Sequence, residues 1–110
     1  MRAIKTTGKR IPWGTVEVQQ VISLYNEFLI NQRNGTKYSK AAAVRACSES
    51  IGRSRGSVEC KLMNVSGIRS DMGLDIVKGY KALGNSQKLL VDMVKADISN
   101  NTPLYLIKGV

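Results

Sequence analysis

The chain has no histidine, and that absence removes more chemistry than any other feature of its composition. Imidazole is the usual general base near neutral pH and the commonest metal ligand. Without it, two cysteines cannot complete a tetrahedral zinc site unless carboxylates join them. Cys47 and Cys60 are the only cysteines. A disulfide scaffold is not expected, and both thiols are expected at core or near-core positions of helices. Acidic residues number only eight. They are scattered, with no paired-carboxylate spacing and no glycine-rich phosphate loop, so a hydrolase has no parts here. The expectation is a non-enzyme with no metal and no cofactor. Aromatic residues make up 5% and do not interleave with basic ones, which argues against a sheet platform for single-stranded RNA. No apolar run reaches the roughly eighteen residues of a membrane span, and the amino terminus has no apolar signal region. A cytoplasmic location is expected.

Positive charge is what the chain has in excess. Seventeen Lys and Arg against eight Asp and Glu give a net charge of +9 on 110 residues. A small protein of this charge is suited to a polyanion, with nucleic acid the leading partner class and an acidic protein surface the second. The basic residues fall into three groups. Arg2, Lys5, Lys9 and Arg10 precede the first acid, Glu17. Arg53, Arg55, Lys61 and Arg69 form the second group. Lys78 and Lys81 flank Gly79-Tyr80 as the third.

The length allows one domain, read as a basic arm over 1–14 and a single helical domain over 15–110. Val18, Val21, Ile22, Tyr25, Phe28 and Leu29 recur at helical spacing, with Thr15 expected as N-cap, Glu17 in the first turn and Gly35 as the left-handed end. Trp13 is expected to pack against the start of this helix in preference to stacking on a base. Ser39 is the expected cap of a second helix carrying Ala42, Ala43, Ala46, Cys47 and Ile51 and ending near Gly52. Gly52-Arg53-Ser54 forms the turn, and Ser54 caps a third helix running to about Met72-Gly73. Leu74 to Gly84 reads as an extended packed connector. Asn85 or Ser86 caps a fourth helix with Leu89, Leu90, Met93, Val94 and Ile98. Met63, Met72 and Met93 are expected as core filler. Leu104 to Ile107 has strand character, as an edge strand or a dimer contact. The fold class expected is mainly all-α: a compact four-helix domain with a helix-turn-helix-like core and a short C-terminal strand.

The third helix carries the functional reading. Val58, Leu62, Val65 and Ile68 should face the core, which places Ser57, Lys61 and Asn64 together on the opposite stripe. Arg53 and Arg55 stand at its entrance. Such a stripe suits either a DNA major groove or an ordinary solvated face. Gly56, unfavourable by about 1 kcal/mol against alanine inside a helix, either permits close approach to a phosphate or shapes the turn. Tyr80 between Lys78 and Lys81 is either a phosphate contact or a packed-loop tyrosine with its hydroxyl at the surface.

Arg53-Ser54-Arg55-Gly56-Ser57-Val58-Glu59-Cys60-Lys61-Leu62-Met63-Asn64-Val65-Ser66, followed by Gly79-Tyr80-Lys81 and Asn85-Ser86-Gln87-Lys88-Leu89-Leu90, resembles a small helical domain at the amino terminus of HNH-type restriction endonucleases, modification-dependent enzymes among them. The similarity covers about residues 40–95. It implies a helix-turn-helix-like DNA-binding head, with Arg53, Ser57, Lys61 and Asn64 matching the family's helix and Tyr80 and Lys81 its Gly-Tyr-Lys element. Glu59 and Asn64 are then structural signature residues. Ala82 stands where the family has proline, which should loosen that turn. An HNH nuclease needs histidine as base and metal ligand, so the head is expected to stand here without nuclease chemistry. The resulting expectation is a non-catalytic module binding double-stranded DNA. The helix over 54–72 lies in the major groove, and Lys9, Arg10, Arg53, Arg55, Ser57, Lys61, Asn64, Arg69, Lys78, Tyr80 and Lys81 make the contacts. The alternative is an adaptor or inhibitor of an acidic or nucleic-acid-handling protein, such as a nuclease subunit.

Overall fold

A computed structural model describes residues 12–100. Lys9, Arg10 and the rest of the arm before Pro12 lie outside those residues, as does the expected strand at Leu104–Ile107. The described chain forms four helices: α1 Thr15–Asn34, α2 Lys40–Ile51, α3 Arg55–Asp71 and α4 Lys88–Asn100. The domain is all-helical, and no described helix is long and apolar enough to cross a membrane.

Helix α1 is the central element. It packs on α2, α3 and α4, whereas α2 and α4 do not meet. The six apolar positions anticipated from its period are all buried, and Leu24 joins them. Its N-cap is Gly14, one residue earlier than expected. The Gly14 N–H donates to Glu17 Oε1 at 3.0 Å, so the carboxylate three residues on reaches back to the N-cap backbone as one half of a capping box. Ser39 and Ser54 cap α2 and α3 as expected. Their hydroxyls accept from the Ala42 and Ser57 N–H groups at 3.2 and 3.1 Å. Gly35 and Gly52 take the left-handed conformation that ends α1 and α2.

Several expectations need correction. On α2 the buried residues are Val44 and Cys47, while Ala42 and Ala46 are exposed. Val44 faces the core, and residues two positions away on a helix lie on its roughly opposite side, so Ala42 and Ala46 face outward. Cys60 and Met72 are exposed, leaving Met63 and Met93 as the methionines packed against the core. Helix α4 begins at Lys88, later than an Asn85 or Ser86 cap would place it. Asn85 takes a positive φ of 58° and ends the connector instead, and the Gln87 carbonyl accepts the first helical bond from Val91 N–H at 3.1 Å.

The connector between α3 and α4 is extended, as anticipated, and side chains from the helices hold it throughout. Gln32 bonds it twice, donating to the Ile76 carbonyl at 3.0 Å and accepting from Lys78 N–H at 2.7 Å. The fully buried Tyr25 hydroxyl accepts from Val77 N–H at 2.8 Å and pairs with Ser66 Oγ at 2.7 Å. Asp75 receives the guanidinium groups of both Arg33 and Arg69, at 3.2 and 2.9 Å. Asn64 Nδ2 donates to the Leu83 and Gly84 carbonyls, each at 3.1 Å, and Leu83 N–H donates to the Met63 carbonyl at 3.1 Å.

These contacts lay residues 83–84 directly across the outer face of α3. Gly67 makes the crossing possible, because a Cβ there would fall well inside van der Waals contact of the Leu83 backbone. Backbone cannot swing aside as a long side chain can. Gly67→Ala should therefore lower unfolding stability by about 1–3 kcal/mol, whereas Gly56→Ala, whose Cβ would meet only Ser54 Oγ at 3.9 Å, should be neutral or stabilising by up to about 1 kcal/mol. Urea denaturation of the two variants checks both values. Tyr25→Phe, which leaves the buried Val77 N–H without its acceptor, should cost about 1–3 kcal/mol in the same experiment.

Candidate nucleic-acid interface

The crossing divides α3 in two. From Leu62 to Arg69 every residue but Met63 is buried, and Met63 is half-covered. Before that, Arg55, Gly56, Glu59 and Cys60 are exposed, with Ser57 and Lys61 half-buried on one flank. The free part of α3 is thus its amino-terminal two turns, delivered by the turn Gly52-Arg53-Ser54. Ser48 closes that turn. Its carbonyl accepts from Gly52 and Arg53 N–H at 2.9 and 3.2 Å, and its hydroxyl donates to the Arg53 carbonyl.

This geometry redistributes the residues singled out from sequence. Asn64 is buried and spends its amide on the connector, so it is no part of an outward stripe. Arg69 is buried against Asp75, and its guanidinium Nε also donates to the Asp75 carbonyl at 2.7 Å. It secures the fold and faces no solvent. Their positions in sequence looked like surface because the connector that covers them lies 6 to 20 residues away. The outward line of the free turns is Gly56 and Cys60, with Arg55 and Glu59 beside it.

Arg53 is half-buried and held on three sides. Its Nε and Nη2 donate to the two Glu17 carboxylate oxygens at 3.1 and 2.9 Å, and Nη2 also reaches the Pro12 carbonyl at 3.0 Å. Its guanidinium carbon lies 4.8 Å from the Trp13 ring centroid. Lys61 Nζ lies 5.3 Å from the same ring and donates to Gln87 Oε1 at 3.1 Å, while Gln87 Nε2 donates to the Trp13 carbonyl at 3.0 Å. Trp13 is buried in the core, and its ring packs under the two cations. Burial lowers the Lys61 pKa, since loss of water disfavours the charged form. Arg53, Ser57, Cys60 and Lys61 face Trp13 and Gln87 across a groove of about 690 Å³.

The other flank of α3 is built by α2 and the connector. Ala41 and Val44 face Ser54, Arg55, Gly56 and Glu59 across a second groove of about 530 Å³. Tyr80 is buried, stacked on Phe28 with ring centroids 6.0 Å apart, and its pKa is raised by burial and then by Glu59. It is the packed tyrosine of the two alternatives. Lys40 bridges the flank, its Nζ 5.6 Å from the Tyr80 ring and donating to the Lys78 carbonyl at 2.6 Å. Lys78 and Lys81 are exposed beside it. Lys40, Trp13 and Gln87 were missed as site residues. Trp13 meets Arg53, Lys61 and Gln87 only through tertiary structure. Lys40 and Gln87 carry no local signal.

Compared with protein-family models, curated proteins and solved structures, the chain shows no match.

The Glu17–Arg53 pair makes the interface sensitive to acid. The Arg53 hydrogen bonds outweigh partial burial and hold the Glu17 carboxyl below its ordinary value of 4.5, with the Gly14 N–H assisting. A carboxyl lowered by folding contributes stability that is fully present above its ordinary value and is lost as pH falls through the lowered one. Glu17→Gln should therefore be less stable than the parent at neutral pH. The gap should close as pH drops below about 4.5, as followed by thermal melts across pH 2–7.

Proposed function

We propose that the protein is a non-catalytic module that binds double-stranded DNA and presents the amino-terminal turns of α3 to the major groove. The observation that carries this reading is the division of α3. A short turn from α2 brings out two turns of helix whose outward residues are Arg55, Gly56, Glu59 and Cys60, and a groove lies on each side. Helix-turn-helix proteins use the first residues of the second helix to touch base edges while the preceding helix meets the backbone. Arg55 is exposed and is the guanidinium best placed for a base edge, where bidentate contact to guanine is the commonest specific interaction. Lys40, Lys78 and Lys81 on the α2 side would meet phosphates, and the net charge of +9 supplies the long-range attraction. The resemblance of residues 40–95 to the DNA-binding heads of HNH-type restriction endonucleases supports the same reading.

Selection from a random duplex library at two salt concentrations tests it. An enriched motif that survives the higher salt is expected. Arg55→Ala should relax preference at one or two positions of that motif, at a cost of about 1–3 kcal/mol. Lys78→Ala with Lys81→Ala should weaken binding evenly across sequences and reduce the salt slope by about two. Binding without enrichment that collapses in salt would sink base reading, and would redirect the search to an acidic protein partner.

A further inference from the structure

The groove between Trp13 and α3 has chemistry that base reading does not use. Ser57 and Lys61 stand one turn apart on one stripe of α3, and Arg53 from the turn before the helix borders the same groove. All three border the same groove as the Trp13 side chain, and no carboxylate lines it. Glu17 neutralises Arg53 from behind, using Nε and Nη2, which leaves the Nη1 edge. Lys61 has one donor committed to Gln87 and two to spare, and has no carboxylate partner among the described residues. The Ser57 hydroxyl makes no bond there either. Its backbone N–H is the group that meets the Ser54 cap.

We infer that this groove is a phosphate site, in which Lys61 and Ser57 bind the phosphoryl oxygens, Arg53 closes one end, and the Trp13 indole forms the wall for the attached sugar. Three donors around one groove suit the tetrahedral oxygens of a phosphate, and charge-assisted bonds to them are short and strong. Lys61 is half-buried in the groove, which costs its ammonium hydration, and an incoming anion replaces the water it gave up. An apolar ligand would leave the ammonium stranded, and a cation would be repelled by it. The groove opens beside the free turns of α3, where the backbone of a bound duplex would pass. The phosphate itself can belong to that backbone or to a free nucleotide. Only the backbone source rests on the DNA-binding reading.

Trp13 is the only tryptophan in the chain, so its fluorescence reports the groove directly. We would titrate the protein at constant ionic strength with sodium phosphate, with a deoxynucleoside monophosphate and with a short duplex, using sodium chloride as blank. A saturable change in emission is expected with the duplex and a weaker one with the small anions. Lys61→Gln should weaken each by about tenfold, as loss of one charge-assisted hydrogen bond requires, and should reduce the duplex salt slope by about one without altering sequence preference. Lys61→Arg should restore most of the binding, and unchanged thermal melts would show that the fold survives. A response to phosphate and nucleotide with none to duplex would keep the site and remove the DNA-binding reading. Duplex binding seen in a gel while Trp13 stays silent, or Lys61→Gln indistinguishable from the parent in every titration, would overturn the phosphate site and leave DNA binding standing. Silence toward all three probes would overturn it too.

Discussion

The structure depends on one irregular segment being laid across a helix. Residues 74–84 have no ladder of their own to satisfy backbone N–H and C=O groups, and a buried segment cannot leave them unpaired without cost. The helices therefore supply the partners: Gln32 and Tyr25 from α1, Asn64 and Arg69 from α3, and Lys40 from the start of α2. Gln32 treats residues 76 and 78 much as a neighbouring strand would, one acceptor and one donor on a single amide. With Val77 plugged into the core, the connector becomes a fifth packed element. Gly67 is the price of its closest approach, and the burial of half of α3 is the result.

Charge is allocated accordingly. Three of the arginines are committed to folding. Arg33 and Arg69 share Asp75, and Arg53 is paired with Glu17. What is left for a polyanion among the described residues is a set of lysines with Arg45 and Arg55. A count of Lys and Arg along the chain overstates the cationic surface, and it misplaces the second basic group, two of whose four members, Arg53 and Arg69, are held by carboxylates. The proposed reading of DNA therefore places most of the phosphate attraction on lysines and asks little of the arginines beyond Arg55.

Local physics made most of the helices legible in advance. The period of α1, the serine caps of α2 and α3 and the left-handed glycines at 35 and 52 are all decided within a few residues, so pattern alone finds them. The misplacements of Asn64 and Arg69 have a common cause. Both look like surface residues on a helical wheel, and only a segment arriving from elsewhere in the chain turns that face inward. Gly14 in place of Thr15 as the N-cap is a shift of one residue, fixed locally by the Glu17 carboxylate that accepts from its N–H. The candidate site divides along the same line. The exposed amino-terminal turns were foreseeable from the entrance charges and the capping serine, whereas the pairing of Trp13 with Arg53 and Lys61 required tertiary structure.

The crossing at Gly67 also partitions the helix in time. Backbone amides from Leu62 to Arg69 lie beneath the connector, and they can meet solvent only when that segment lifts and the core contacts of Val65 and Ile68 open with it. Those of Gly56 to Cys60 depend on their own helical bonds and the Ser54 cap, so they open by fraying at far lower free energy. One continuous helix is thereby two exchange regimes, a slow carboxyl-terminal half tied to global unfolding and a fast amino-terminal half. The amino-terminal half is the one that can adjust to whatever surface it meets, with Val58 as its anchor in the core.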